Sequence, residues 1–187
     1  MAISMSKTRE QFPLSTKKVL KKTLAGTLVW VILLFIIYGI SAAFLISLAQ
    51  TIGNYFGIVT FGILGLLFLI VVLTYLYQQW YYNVYFYDLT PDYIVIKKGP
   101  ITPREITIPY ERIQDVYVDQ DLLDRMFGLY DVHLSSATVS SGMEAHIDGV
   151  EKLAADGLRA LLLQTVSSRI SKSKGQSVLQ NTPSQSS

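Results

Sequence analysis

The sequence predicts an α+β membrane protein. An N-terminal two-helix transmembrane hairpin should be followed by a small antiparallel β-roll or barrel with a C-terminal helix. Three observations predict it. Residues 24–49 and 56–77 are long apolar runs without a charged residue, and ~20 apolar residues suffice for a helix to cross a bilayer. From residue 84 the apolar positions alternate with period two, and turn residues recur at short intervals. The last periodic stretch returns to helical spacing.

The runs place the ends of the chain. Before the first run stand six cations, Lys7, Arg9, Lys17, Lys18, Lys21 and Lys22, against Glu10 alone. A basic segment beside a span is cytoplasmic as a rule, so two spans predict a multi-pass protein of the cell membrane with both termini in the cytoplasm. The apolar run is far longer than the ~7–15-residue core of a cleaved signal peptide. The expected organisation is a basic, disordered or surface-lying segment over 1–23, the hairpin over 24–77, a folded domain over 78–170 and a disordered tail over 171–187. Only the connector 50–55 is expected on the far side.

Within the first run Gly39, Ala43 and Ser47 recur every fourth residue. Such a stripe lets another helix approach closely, either the second span or a helix of a partner. The second run leads into Tyr75, Tyr77, Trp80, Tyr81 and Tyr82, whose amphipathic rings suit the headgroup level. No flexible linker separates this belt from the folded domain.

Strands are expected near 84–89, 93–97, 105–108, 113–119, 130–136 and 143–147. Thr90-Pro91-Asp92 and Lys98-Gly99-Pro100 are turn sequences, since proline presets φ and glycine permits positive φ. Residues 121–127 form a helical turn stopped by Gly128, and 135–142 a polar loop. The closing helix carries Val150, Ala154, Leu158, Leu161, Leu162, Thr165 and Val166 on one face, with Asp148 and Glu151 read as its capping box. A pleckstrin-homology-like (PH-like) roll is the economical fold for this pattern.

Three stretches carry a family resemblance: Tyr87-Asp-Leu-Thr-Pro-Asp-Tyr-Ile-Val-Ile-Lys-Lys-Gly99, Ile108-Pro-Tyr-Glu-Arg-Ile-Gln-Asp-Val-Tyr-Val-Asp-Gln120, and Leu122-Leu-Asp-Arg-Met-Phe-Gly-Leu-Tyr-Asp-Val-His-Leu134. In order and spacing they resemble the bacterial PH domain of the YdbS-like, membrane-flanked type, over roughly residues 79–163. The resemblance implies a PH-like fold behind a helix pair and brings no catalytic residues. At its motif positions Gly99 and Gly128 serve turns, Ile113 and Val116 the core, and Pro109 a strand edge; Arg112 and Gln114 satisfy backbone groups.

The sequence has no cysteine, which excludes disulfides and thiolate chemistry. The folded domain holds eight cations against thirteen carboxylates over 78–170, a balance unsuited to nucleic acid. Asp119, Asp121 and Asp124 lack the glycine and distal glutamate of a calcium loop; Asp121 is read as a helix cap and Asp124 as the partner of Arg125 or Arg112. His133 and His146 lie on separate strands. No nucleophile elbow or phosphate loop occurs, so the expectation is a non-enzyme without metal or cofactor. Its partners are membrane lipids and another membrane or cytoplasmic protein, or itself as a homo-oligomer. The expected function is an adaptor presenting the domain at the membrane, with an exposed strand edge as one docking route. The alternative is a lipid-responsive protein contacting anionic headgroups through Lys97, Lys98, Arg104, Trp80, Tyr81 and Tyr82.

Overall fold

The structure is a computed structural model that describes residues 6–47, 53–136 and 145–180. The chain forms two compact units, one of residues 19–83 and the other of residues 1–18 with 84–187. Outside the described residues lie 48–49 of the first expected span, 50–52 of the connector expected over 50–55, 137–142 of the loop expected over 135–142, 143–144 of the strand expected near 143–147, and 181–187 of the tail.

The first unit is a helix pair, α2 (Lys17–Ser47, whose first two residues belong to the second unit) and α3 (Gly53–Val84). Both contain stretches long and apolar enough to cross a membrane, Lys17–Ala43 and Gly57–Val84. Their outward faces are apolar: Phe35, Phe61 and Phe68 are 75%, 77% and 71% exposed. The helices approach closely at Gly26, where an added Cβ would meet the Thr74 side chain at 3.3 Å. Thr23 and Thr27 return their hydroxyls to the carbonyls of Val19 and Thr23, at 2.7 and 2.8 Å, so neither polar group needs a partner outside its own helix. Tyr38 and Thr60 face each other across the pair at 3.4 Å.

The second unit begins with α1 (Lys7–Gln11), capped by Ser6, whose Oγ accepts the Arg9 N–H at 3.0 Å. Two antiparallel three-stranded sheets follow. The first is β1 (Phe86–Leu89), β2 (Tyr93–Lys98) and β3 (Arg104–Pro109), in that order. A 3-10 turn, Tyr110–Arg112, leads to the second: β4 (Ile113–Asp119), β5 (Leu129–Ser136) and β6 (Ala145–Glu151). Between β4 and β5 lies α4 (Leu122–Phe127), and α5 (Lys152–Gln180) closes the chain. Among the described residues the strands make two separate sheets and no closed barrel.

The core is what the alternation predicts. Tyr87, Ile94, Ile96, Ile106 and Ile108 are buried in the first sheet, and Ile113, Val116, Val132, Leu134, Ala145 and Ile147 in the second. Ala155, Leu158, Leu162 and Val166 of α5 are buried as well. At the motif positions, Gly99 and Gly128 have φ of 94° and 67°, Ile113 and Val116 are core, Pro109 ends β3, and Arg112 and Gln114 are exposed.

Three expectations need correction. Strand β6 runs to Glu151, so Asp148 and Glu151 do not cap the last helix, which starts at Lys152. Asp148 is instead buried, its Oδ2 3.7 Å from the Lys18 ammonium. The N-terminal segment, expected to be disordered or surface-lying, is folded into the domain from Ser6 onward. Helix α5 continues to Gln180, past Ile170 where the pattern predicted its end.

Phe12 shows how the segment is held. An added Cβ at Gly157 of α5 would lie 2.3 Å from its Cε1, so the ring rests in the notch the glycine leaves. Arg169 of α5 reaches the β1–β2 turn, with Asp92 Oδ1 at 2.8 Å and the Pro91 carbonyl as acceptors. Tyr110 donates to the Thr90 carbonyl of the same turn at 2.8 Å. Burial, reinforced by Asp88, pushes the Tyr110 phenol up to about 12, against the opposing pull of Arg169.

Two predictions follow from these contacts. Alanine is favoured over glycine within a helix by ~0.5–1 kcal/mol, but Gly157→Ala should lower stability by about 1–3 kcal/mol because the Phe12 ring must move. Denaturant unfolding and faster tryptic cleavage at Lys7 and Arg9 would register it. For Tyr110, the unfolded chain releases the phenolic proton near the ordinary 10.0 while the fold keeps it to about 12. The contribution is complete below pH 10 and is lost as pH rises through that window. Urea midpoints measured across it should fall less steeply for Tyr110→Phe than for the parent chain.

Candidate functional site

A strand at the edge of a sheet presents unpaired backbone groups that must find partners, and those edges are where another chain can add. Two sheets of three strands have four outer edges, and the N-terminal segment covers two of them. Along β1 and its lead-in, Arg9 Nη1 donates to the Tyr85 carbonyl at 2.5 Å and Ser6 Oγ to the Tyr87 carbonyl at 2.6 Å. Thr8 Oγ1 accepts the Leu89 N–H at 3.1 Å and donates to Asp88 Oδ1 at 2.9 Å. Two side chains of one short helix and that of its capping serine thus replace a neighbouring strand. The Tyr87 hydroxyl donates in return to the Phe12 carbonyl.

The second covered edge is β6. Leu14 forms an antiparallel bridge with Val150, and the Ser15 N–H donates to the Gly149 carbonyl at 3.0 Å. Lys18 then turns inward. It is 3% exposed, its Nζ donates to the Asp148 carbonyl at 2.8 Å, and it lies 4.0 Å from the centre of the Tyr85 ring. Gly149 (φ 79°) makes this possible, because an added Cβ would lie 2.7–2.9 Å from the Lys18 side chain. Tyr85 is buried and donates to the His146 carbonyl at 2.8 Å.

This leaves β3 and β4 as the outer strands. Antiparallel ladders alternate, each residue bonding wholly to one side or the other. With Tyr85, Tyr87 and Leu89 bonding outward from β1, the register Phe86↔Lys97, Ile96↔Ile106 puts the outward groups of β3 at Glu105, Thr107 and Pro109. Glu105 and Thr107 are exposed, and Pro109 has no N–H to offer. Strand β4 is blunter: its pairing shifts between Ile113 and Asp115, and Asp115 Oδ1 takes the Val116 N–H at 2.8 Å.

The residues singled out in the sequence fall in different places. Lys98 and Arg104 are cross-strand partners at the tip of the β2–β3 hairpin. Lys97 is drawn to Glu105 at 3.1 Å and lies 5.9 Å from the centre of the Phe86 ring. Ile101, between Lys98 and Arg104, is 70% exposed. Trp80, Tyr81 and Tyr82 belong to α3 in the other unit, with Trp80 exposed and the two tyrosines half-buried. Gly39 and Ala43 are on the exposed face of α2, and a Cβ at Gly39 would meet nothing within 4 Å. The side chain of Ser47 lies outside the described residues. Asp121 caps α4 as expected, and Asp124 completes the capping box by accepting the Asp121 N–H.

Sequence reasoning missed Ser6, Thr8 and Arg9. Their only local signal is a capping serine before a short polar helix, which says nothing of a strand edge far along the chain. It also left the two histidines unplaced. His133 and His146 are directly paired across β5 and β6, with rings stacked at 5.3 Å. On its other side His133 stacks on Tyr117 at 4.9 Å, with planes 5° apart.

The family model for the bacterial PH domain matches residues 19–166. No curated protein and no solved structure matches the chain. The matched stretch takes in nearly all of the helix pair, all six strands and α5 as far as Val166. This chain belongs to the bacterial PH domain family.

Proposed function

We propose that the protein is a non-catalytic integral membrane protein, with both termini cytoplasmic, whose PH-like domain is an adaptor. The outer edge of β3 receives an extended segment of a protein partner. The two apolar helices and the basic residues before them support the membrane placement. The adaptor reading rests on one observation: residues of the N-terminal segment occupy the edges of β1 and β6, while among the described residues no backbone hydrogen bond reaches the groups at Glu105 and Thr107 that the register turns outward from β3. Main-chain hydrogen bonds would supply affinity there, and alternate side chains the specificity.

A second reading has its own support. Ile101 projects at the hairpin tip between Lys98 and Arg104, an apolar residue flanked by cations as in segments that enter an anionic bilayer surface. Lys97 serves this reading less well, since Glu105 already engages it.

The two readings separate in native membranes. With a photo-crosslinker at Glu105 of the intact protein, Thr107→Pro should abolish capture of a protein partner, because it removes an outward N–H without breaking a bond to β2. Charge reversal at Lys98 and Arg104 should leave that capture unchanged. Capture that survives Thr107→Pro would sink the strand-addition reading. Loss of lipid crosslinks on charge reversal, with no protein captured, would put the lipid reading in its place.

A further inference from the structure

We propose that Asp119, Asp131 and His133 form a binding site for a divalent transition-metal ion of the zinc class, on the face of the second sheet away from the core. The proposal is independent of the adaptor reading. One ligand atom from each residue can be chosen so that all three lie within 4.8 Å of one another. One imidazole and two carboxylates are a ligand set that such ions accept.

The strand register assembles it. Asp119 of β4 and Asp131 of β5 are direct cross-strand partners, and His133 is two residues along β5 on the same face. Like charges directly opposite each other weaken a sheet, and a cation bound between the strands would offset that repulsion. His133 Nε2 lies 3.0 Å from Asp119 Oδ1. Two ligands at ~2.1 Å from a tetrahedral ion are ~3.4 Å apart, so a small side-chain adjustment would admit the ion between them. An imidazolium would bring one charge to two carboxylates; a divalent ion brings two.

The neighbours hold the ligands in place. Tyr117 and His146 sandwich the His133 ring, at 4.9 and 5.3 Å, which fixes the direction of its nitrogens. Asp131 Oδ1 accepts the Gly149 N–H at 2.8 Å. Outer partners of this kind orient the ligands of metal sites and tune their affinity. Three protein ligands leave a coordination position for water or for a side chain of a partner. Through Gly149 the site also adjoins Asp148 and Lys18, where the N-terminal segment is locked to β6.

The test uses the full-length protein, purified in detergent and stripped with a chelator. Calorimetric titration with Zn²⁺ should find one ion per chain, and Co²⁺ should give the visible bands of a low-symmetry site. Asp119→Asn and His133→Gln should each weaken binding tenfold or more, while Glu111→Gln, outside the cluster, should not change it. Zn²⁺ should raise the melting temperature of the parent chain and not of His133→Gln. Asp131 is left intact because it also holds the Gly149 N–H. Absence of stoichiometric binding, or equal affinity in the Asp119 and His133 variants, would show a surface ion pair and overturn the proposal.

Discussion

A buried ammonium must be neutralised where it lies, and that demand at Lys18 organises the folded unit. The charge is met by the Asp148 carbonyl, by the Asp148 carboxylate and by the face of the Tyr85 ring. Removing one partner of such a group strands the other in a poorly solvated place, at a cost of ~3–5 kcal/mol. Lys18 stands in the first turn of α2, and Tyr85 directly follows the last residue of α3. The last residue before the chain leaves the folded unit is therefore held against Tyr85, the second residue after its return. Gly149 is indispensable to it, since any side chain there would collide with the lysine stem.

The N-terminal segment extends the same logic to the sheets. A three-stranded sheet with two bare edges is prone to unwanted pairing, and this domain covers one edge of each sheet with chain that precedes the first long helix. The means differ. On β1 the partners are side chains of a short helix, with donors and an acceptor set against alternate backbone groups. On β6 they are backbone, as in an ordinary ladder. The consequence for the proposed function is selectivity of position: among the described residues, docking by strand addition would be confined to β3 and the blunted β4. The proposed metal site lies between β4 and β5, on the ladder that stiffens the second of these edges.

Much of the fold was legible in the sequence because it depends on local periodicity. The apolar runs became α2 and α3, 113–119 became β4 with the expected ends, and the Asp121 cap and Gly128 stop bracket α4. The strand–helix boundary at 148–152 was misread for a physical reason. Aspartate followed three residues later by glutamate has the spacing of a capping box, but a lysine from far back in the chain claims the aspartate. The small-residue stripe was a true local pattern as well. Its first two residues lie on the outward face of α2, while the close approach of the two helices occurs at Gly26.

By itself the sequence determined the two long helices, the strands, α4 and the first part of α5 in their order, and the bacterial PH family, because hydrophobic period, turn residues and motif spacing are properties of neighbours along the chain. It held no sign of α1. Only the tertiary structure decided which edges are covered, that Lys18 is buried, and that His133 meets both His146 and Asp119. Those facts rest on strand register and on contacts spanning up to 136 residues. A one-residue slip in register would turn each of these side chains to the opposite face, so local pattern cannot specify them.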